Sequence, residues 1–524
     1  MFNAFKTLAT SLFAVVLLVN ASGLRSQTSG GEKLDTSSRD KQRLARFEKQ
    51  ADELRTLLKI PGVSAVIVKD QKVLWAKGFG FADLENRIPA TPDTLYHIAS
   101  LTKTFAATLL MQLVEKGKLD LDEPMSHYSS DFKDDSVKIK HLLSHTSDGT
   151  PGERYQYNGN RYDYLTAVIE KKTGRPFHAV MVETFLDPLA MASSVPGHDV
   201  VDEADKWGTL LGKDNLSRYG KNLSRLSQPY TLYGGSETVH VPYPPKGLGA
   251  SAGLLSTVLD MAKYDAAIDR HLFLKTETQE KAWTAFVSNG DQRLPHGLGW
   301  FVTDYRGIKL IWHYGHWGTG FSAIYLKVPE RHLSLVMLAN SEALSDHQFQ
   351  GSEDITSNVF ACNFLRLFVF EDVKGRRLPD PHWTQSTREF SSEITRLGKK
   401  SNGYTYDCER NSQTALAKWI EHRRSQARVP IQVDPGILES YIGQYQFEAP
   451  STRVLTVSRE GSRLFVDIPR DHKSKLFAES KSKFFLKVRP VQLTFIKEGG
   501  QVAYLEYVFA NGETLRAKRI KGLP

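Results

Sequence analysis

The chain has 524 residues, 40% hydrophobic, 10% aromatic and 24% charged, which excludes wholesale disorder and exceeds what one hydrophobic core usually organises. The formal net charge is +9, yet the basic residues are scattered, with only small clusters such as Arg423-Arg424 and Lys399-Lys400. Such a surface suits an anionic cell wall better than a nucleic acid.

Residues 1–28 carry Lys6, the apolar run Leu12 to Val19 and the small residues Ala21-Ser22-Gly23, the pattern of a cleavable export signal. That run is too short to span roughly 30 Å of hydrocarbon. The mature chain is therefore expected to be secreted or periplasmic, without a transmembrane segment. Losing Lys6 and Arg25 with the signal would lower the charge from +9 to +7. In an oxidising compartment Cys362 and Cys408 could pair, although sequence does not give their separation. Neither lies in a CxxC or beside nearby histidines, so no metal site and no cofactor are expected.

Residues 29–380 mix strand-like and helix-like segments. Val63 to Val68 and Lys72 to Ala76 bracket a turn as a hairpin, and Lys309 to Trp312, Phe321 to Leu326 and Leu333 to Leu338 read as further strands. Strands at both ends with helical sequence between them predict an α+β domain: an antiparallel sheet closed by distant segments and flanked by helices. Residues 381–434 are polar and irregular, a linker with some helix near Ala415 to Arg424. Residues 435–524 show short strands separated by Glu460-Gly461, Gly499-Gly500 and Asn511-Gly512, an all-β module of barrel or sandwich type.

Ser100-Leu101-Thr102-Lys103 is an SxxK, a weak pattern that recurs at Ser38/Lys41, Ser130/Lys133 and Ser480/Lys483. Only Ser100 opens an apolar helix, through Phe105, Leu109, Leu110 and Leu113 to the stop at Gly117. Residues three apart share a helix face, which sets the hydroxyl beside the amine. Burial there lowers a lysine pKa and makes it a useful proton acceptor, and the helix start points N–H groups at developing negative charge. A capping serine with a surface lysine is the plainer alternative. Tyr157 follows in Tyr155-Gln156-Tyr157-Asn158-Gly159, and His313-Tyr314-Gly315-His316 lies between two predicted strands. A phenol beside an ammonium is expected to have a depressed pKa and to serve as a base. His145 is a rival base that we read as structural, because nothing beside it is read as a nucleophile. Gly253 reads as a close chain approach before a helix capped near Ser256 or Thr257.

The order SxxK, tyrosine turn, HxG strand, with His141 to Ser147 and Gly253 to Asp260 between, resembles the serine β-lactamase-related family over about residues 62–341. The nearest branch is that of class C β-lactamases, DD-peptidases and family VIII esterases. The resemblance implies a seryl acyl-enzyme hydrolase of amides or esters, with a D-amino-acid peptide or small-molecule substrate. It makes Ser100 the nucleophile, Lys103 its activator and Tyr157 the proton relay. His313 and Gly315 would line the opposite wall, and the His316 N–H would join that of Ser100 as an oxyanion hole. The module after Pro435 is similar to a β-barrel appendage on some members.

Two departures qualify this. The asparagine of the usual Tyr-x-Asn is replaced by Gly159, leaving Asn158 or Asn160 as substitutes, and His313 stands where β-lactamases carry lysine. His316-Trp317-Gly318 competes with His313-Tyr314-Gly315 as the HxG. The alternative function is a catalytically weak, penicillin-binding-like recognition protein of the same fold. A metallohydrolase has no HExxH to support it.

Overall fold

The computed structural model describes residues 37–243, 247–346, 353–371, 383, 407–448, 453–467, 473–509 and 512–521. The export segment lies outside the described residues.

The central sheet is built from β1 (Gly62–Lys69), β2 (Lys72–Asp83), β3 (Ile88–Pro89), β4 (Phe301–Tyr305), β5 (Ile308–Trp317), β6 (Phe321–Val328) and β7 (Leu333–Ala339). Their order is β3-β2-β1-β7-β6-β5-β4, every neighbour antiparallel. β1 therefore pairs with β7, from the far end of the domain, as the closed sheet requires.

Both faces of this sheet are covered. On β1, Val63, Ala65 and Ile67 point into one core with helix α1 (Ser38–Leu57), while Val66 and Val68 point into a second core with helix α2 (Thr102–Glu115). Double burial explains why β1 and β7 read as unbroken apolar runs rather than alternating ones. A hairpin, Tyr230–Tyr233 with Glu237–His240, leaves this domain at the sheet end, held by Glu342, which accepts from Thr231 Oγ1 at 2.8 Å and Leu232 N at 3.0 Å.

The polar stretch expected as a linker contributes a long helix, Asp407–Ser425. Cys408, Leu416, Trp419 and Ile420 bury it in the α1-side core, so it belongs to the sheet domain rather than to a connector. Cys408 is bonded to Cys362, with Cα atoms 5.6 Å apart, and this staples the helix to Val359–Phe364.

The C-terminal part closes into an eight-stranded barrel, β8 (Gly443–Phe447) to β15 (Thr514–Lys521), each strand pairing with the next and the first with the last. Two of its strands, Ser474–Ala478 and Thr514–Lys521, come in addition to the six that the sequence shows at Tyr441 to Phe447, Val454 to Val457, Leu464 to Ile468, Phe484 to Val488, Leu493 to Ile496 and Tyr504 to Phe509. Alternate residues face inward, Leu493 and Phe495 among them. The interior is a packed core in which the Tyr441 and Phe495 rings stack 4.2 Å apart and Phe484 meets Phe495 edge-on. The barrel rests against the hairpin: Tyr233 stacks on Phe485, and Lys487 pairs with Glu237 at 2.7 Å.

Candidate active site

The nucleophile position is made by a strained entry into α2. Ile98 N donates to Leu254 O at 3.1 Å, and His97 Nδ1 accepts the Ala99 N–H at 3.0 Å. Ala99 takes φ +49°, a left-handed conformation costing on the order of 1 kcal/mol without a glycine. The chain then makes a 3₁₀ turn over Ala99–Leu101 and continues into α2, leaving Ser100 at the mouth, 9% exposed.

Lys103 is 1% exposed, one turn below. Its Nζ donates to Ser100 Oγ at 2.9 Å and to the Ser251 carbonyl at 2.8 Å. Ser251 is itself fixed, its N–H and hydroxyl both donating to Asp163 Oδ1 at 3.0 and 2.7 Å. The Lys103 amine also lies 5.1 Å from the Tyr157 ring centre and 5.3 Å from that of Tyr162. Serine, lysine and tyrosine are thus brought together.

The Tyr157 hydroxyl is buried, with the Ser100 and Tyr314 hydroxyls beside it. Burial pushes its pKa up, and the Ser100 and Tyr314 hydroxyls offset this only in part. This corrects the depressed phenol expected from sequence: desolvation dominates, and Tyr157 rests as a protonated phenol.

β5 forms the opposite wall. A Cβ at Gly315 would meet Ile98 O at 2.4 Å and Ala99 Cβ at 3.3 Å, so this position must be glycine for the strand to lie against the nucleophile turn. Gly318 has open space around it. The glycine that packs on the turn is thus that of His313-Tyr314-Gly315. His313 is fully buried, its Nδ1 on Tyr314 O at 2.7 Å, its Nε2 without a partner, and its pKa held well below the ordinary value by burial, His296 and Lys103. The His316 side chain faces Asp346, 3.8 Å away, on the other side of the strand. The Gly315 carbonyl is pinned by Ser345 Oγ at 2.8 Å.

Neither asparagine substitutes for the one absent at Gly159. Asn158 caps the helix Gly159–Asp163, its Oδ1 accepting from Arg161 N and its Nδ2 donating to Asp148. Asn160 is exposed. A Cβ at Gly159 would have only Lys103 Nζ within 4 Å, at 3.8 Å, so this stretch of wall is open beside the lysine.

Four residues of the site escape sequence reasoning. Ser251 contributes a main-chain oxygen, which no side-chain pattern advertises, and Asp163 holds that serine in place. His145 lies on the Tyr157 ring, with centroids 4.2 Å apart, and His296 stands 5.0 Å from His145. Burial holds His296 down to about 3. Gly253 meets expectation: at φ +116° its Cβ would strike Gly247 O, and Thr257 caps the next helix. Among the described residues no group of three or more His, Cys, Asp or Glu could hold a metal, and no helix is long and apolar enough to cross a membrane.

A family model described as beta-lactamase matches residues 47–353. The chain belongs to the beta-lactamase family. A second model, described as a domain of unknown function (DUF3471), matches residues 427–518, the region of the barrel. Among family relatives, penicillin-binding protein 4* of Bacillus subtilis (strain 168) is 20% identical over 86% of this chain and 93% of its own length. Protein flp of Staphylococcus aureus (strain MRSA252) is 25% identical over 54% of this chain and 60% of its own. In fold the chain is similar to the octameric penicillin-binding protein homologue from Pyrococcus abyssi, with a TM-score of 0.52 and 21% identity over 91% of this chain and all of that one. The beta-lactamase family consists in general of serine hydrolases, some members being inactive, and this chain has the beta-lactamase/transpeptidase-like fold with a closed C-terminal barrel.

Proposed function

We propose that this protein hydrolyses amide or ester bonds through a covalent seryl intermediate on Ser100. The observation that carries the reading is the buried Lys103 amine hydrogen-bonded to Ser100 Oγ at 2.9 Å, with a protonated phenol against the same amine. Ser100 attacks the substrate carbonyl and gives its proton to Lys103. The N–H groups of Ser100 and His316 stabilise the oxyanion, a contribution of about a hundredfold in rate per donor. Tyr157 donates its proton to the departing nitrogen or oxygen and is reprotonated from Lys103. Water then enters and attacks the acyl carbonyl, its proton passing through the Tyr157 phenol to the neutral Lys103 amine, and the acid is released as Ser100 Oγ takes that proton back from Lys103.

A D-amino-acid peptide or a small ester suits the site, and the names of the penicillin-binding relatives support an acyl donor of that kind. The disulfide supports an oxidising destination, secreted or periplasmic, where a basic surface meets cell wall.

The test is a fluorophosphonate probe followed by a panel of short-chain esters, D-Ala-D-Ala peptides and a chromogenic cephalosporin. Labelling of the folded wild type, abolished in Ser100→Ala, is the expected result. A folded wild type that takes no label overturns the hydrolase reading in favour of a recognition protein.

A further inference from the structure

One histidine in the site is left unused by the acyl-transfer steps. His145 follows the helix Ile139–Leu143, is 2% exposed and holds φ +54°, a left-handed conformation uncommon for a residue with a side chain. Its carbonyl accepts the Gln156 N–H at 2.8 Å, and its Nδ1 accepts the Asn158 N–H at 3.2 Å. Gln156 and Asn158 are the two neighbours of Tyr157 in the chain. The imidazole also lies along the phenol ring, with centroids 4.2 Å apart and planes at 29°. A single residue therefore fixes the main chain on both sides of the phenol and the plane of its ring.

We propose that His145 is the positioning residue of Tyr157, setting the height and tilt of the phenol over Lys103 as a neutral imidazole with its hydrogen on Nε2. The tautomer follows because an amide N–H only donates, so the nitrogen facing Asn158 must carry a lone pair. Around the ring stand Tyr155 at 6.1 Å, Tyr162 at 5.1 Å and His296 at 5.0 Å. Burial, His296, Lys103 and His313 all disfavour the imidazolium. An imidazolium here would lose the Asn158 contact and set a positive charge beside the amine that has to take up the seryl proton. A ring that merely filled space would need neither an acceptor aimed at Asn158 nor a left-handed backbone.

This inference rests on the role proposed above for Tyr157. Its test uses two variants that each keep half of the device. His145→Phe preserves a ring against Tyr157 and loses the acceptor. His145→Asn loses the ring but keeps a short acceptor and tolerates the left-handed backbone. Each is made in the native and in the Tyr157→Phe background, and kcat, KM, the rate of fluorophosphonate labelling and Tm are measured.

In the native background each folded variant should lower kcat about 10- to 100-fold with KM little changed, the scale of a misplaced catalytic group. In the Tyr157→Phe background the same changes should cost nothing further, because the hydroxyl they position is gone. Should His145→Phe not fold, the Asn variant decides. Full kcat in a folded variant, or a loss that multiplies with that of Tyr157→Phe, overturns the proposal. A wild type that does not label removes the hydrolase reading and this inference together, whereas a labelling wild type with normally active variants removes the inference alone.

Discussion

At the scale of single residues, two buried lysine amines are each held by partners of a different kind. Lys103 has the Ser251 carbonyl and Ser100 Oγ. Replacing it with alanine removes the acceptor for the seryl proton, and we expect kcat to fall about 10²- to 10⁴-fold with Tm nearly constant. Lys327 makes the contrasting case. It is 1% exposed beneath the sheet and bridges Asp265 and Asp269, far from any reacting group. Lys327→Met would strand two carboxylates in a dry interior, and about 3–5 kcal/mol of stability should be lost in chemical denaturation. In the folded fraction, turnover should be unaffected. Two lysines of equal burial are thus separated by which measurement each one moves.

At the scale of elements, β5 and the turn before α2 form one unit, because Gly315 lets the strand lie directly on Ile98 and Ala99. Gly315→Ala forces that contact apart. An overpacking cost of about 1–3 kcal/mol is expected in thermal melts, together with loss of probe labelling as the His316 N–H moves off the oxyanion position. The same unit shows what could be read beforehand. Of the central sheet, β1, β6 and β7 were legible because burial on both faces writes them as long apolar runs, whereas the short β3 and β4 carry no such run and were not read; α2 was legible because its helical period is apolar and stops at Gly117. The helix Asp407–Ser425 was not legible at full length: its inward face includes Glu409, Ser412 and Gln413, so its period is masked by polar residues that are buried. The SxxK spacing gave the Ser100–Lys103 pair. Nothing in the spacing gives His145, since its link to Tyr157 is made through the main-chain N–H groups of Gln156 and Asn158, eleven and thirteen residues away.

At the scale of the whole molecule, acid stability follows from histidines kept neutral. Burial holds His296 at about 3 and His141 at about 4, below the ordinary 6.5. Between those values the unfolded chain binds protons that the folded chain refuses, so stability falls as pH drops below about 6.5 and rises with pH through that window. Tm measured from pH 7 to pH 4 should fall steadily, and a flat profile would show these rings to be solvated.

The stacked aromatics that fill the C-terminal barrel have their own consequence. Eight strands enclose just enough space for side chains, and Tyr441, Phe484 and Phe495 occupy it. Such a module is no carrier with a hollow to load. Whatever it contributes is delivered by its outside, and the part of that outside already engaged is the end gripping the hairpin at Tyr233 and Glu237. That outside also holds the segment after the helix Asp407–Ser425, where Arg428 pairs with Glu479 at 2.7 Å and Ile431 N donates to Ala478 O at 2.8 Å, so a change in the outer wall has two described places from which to reach the sheet.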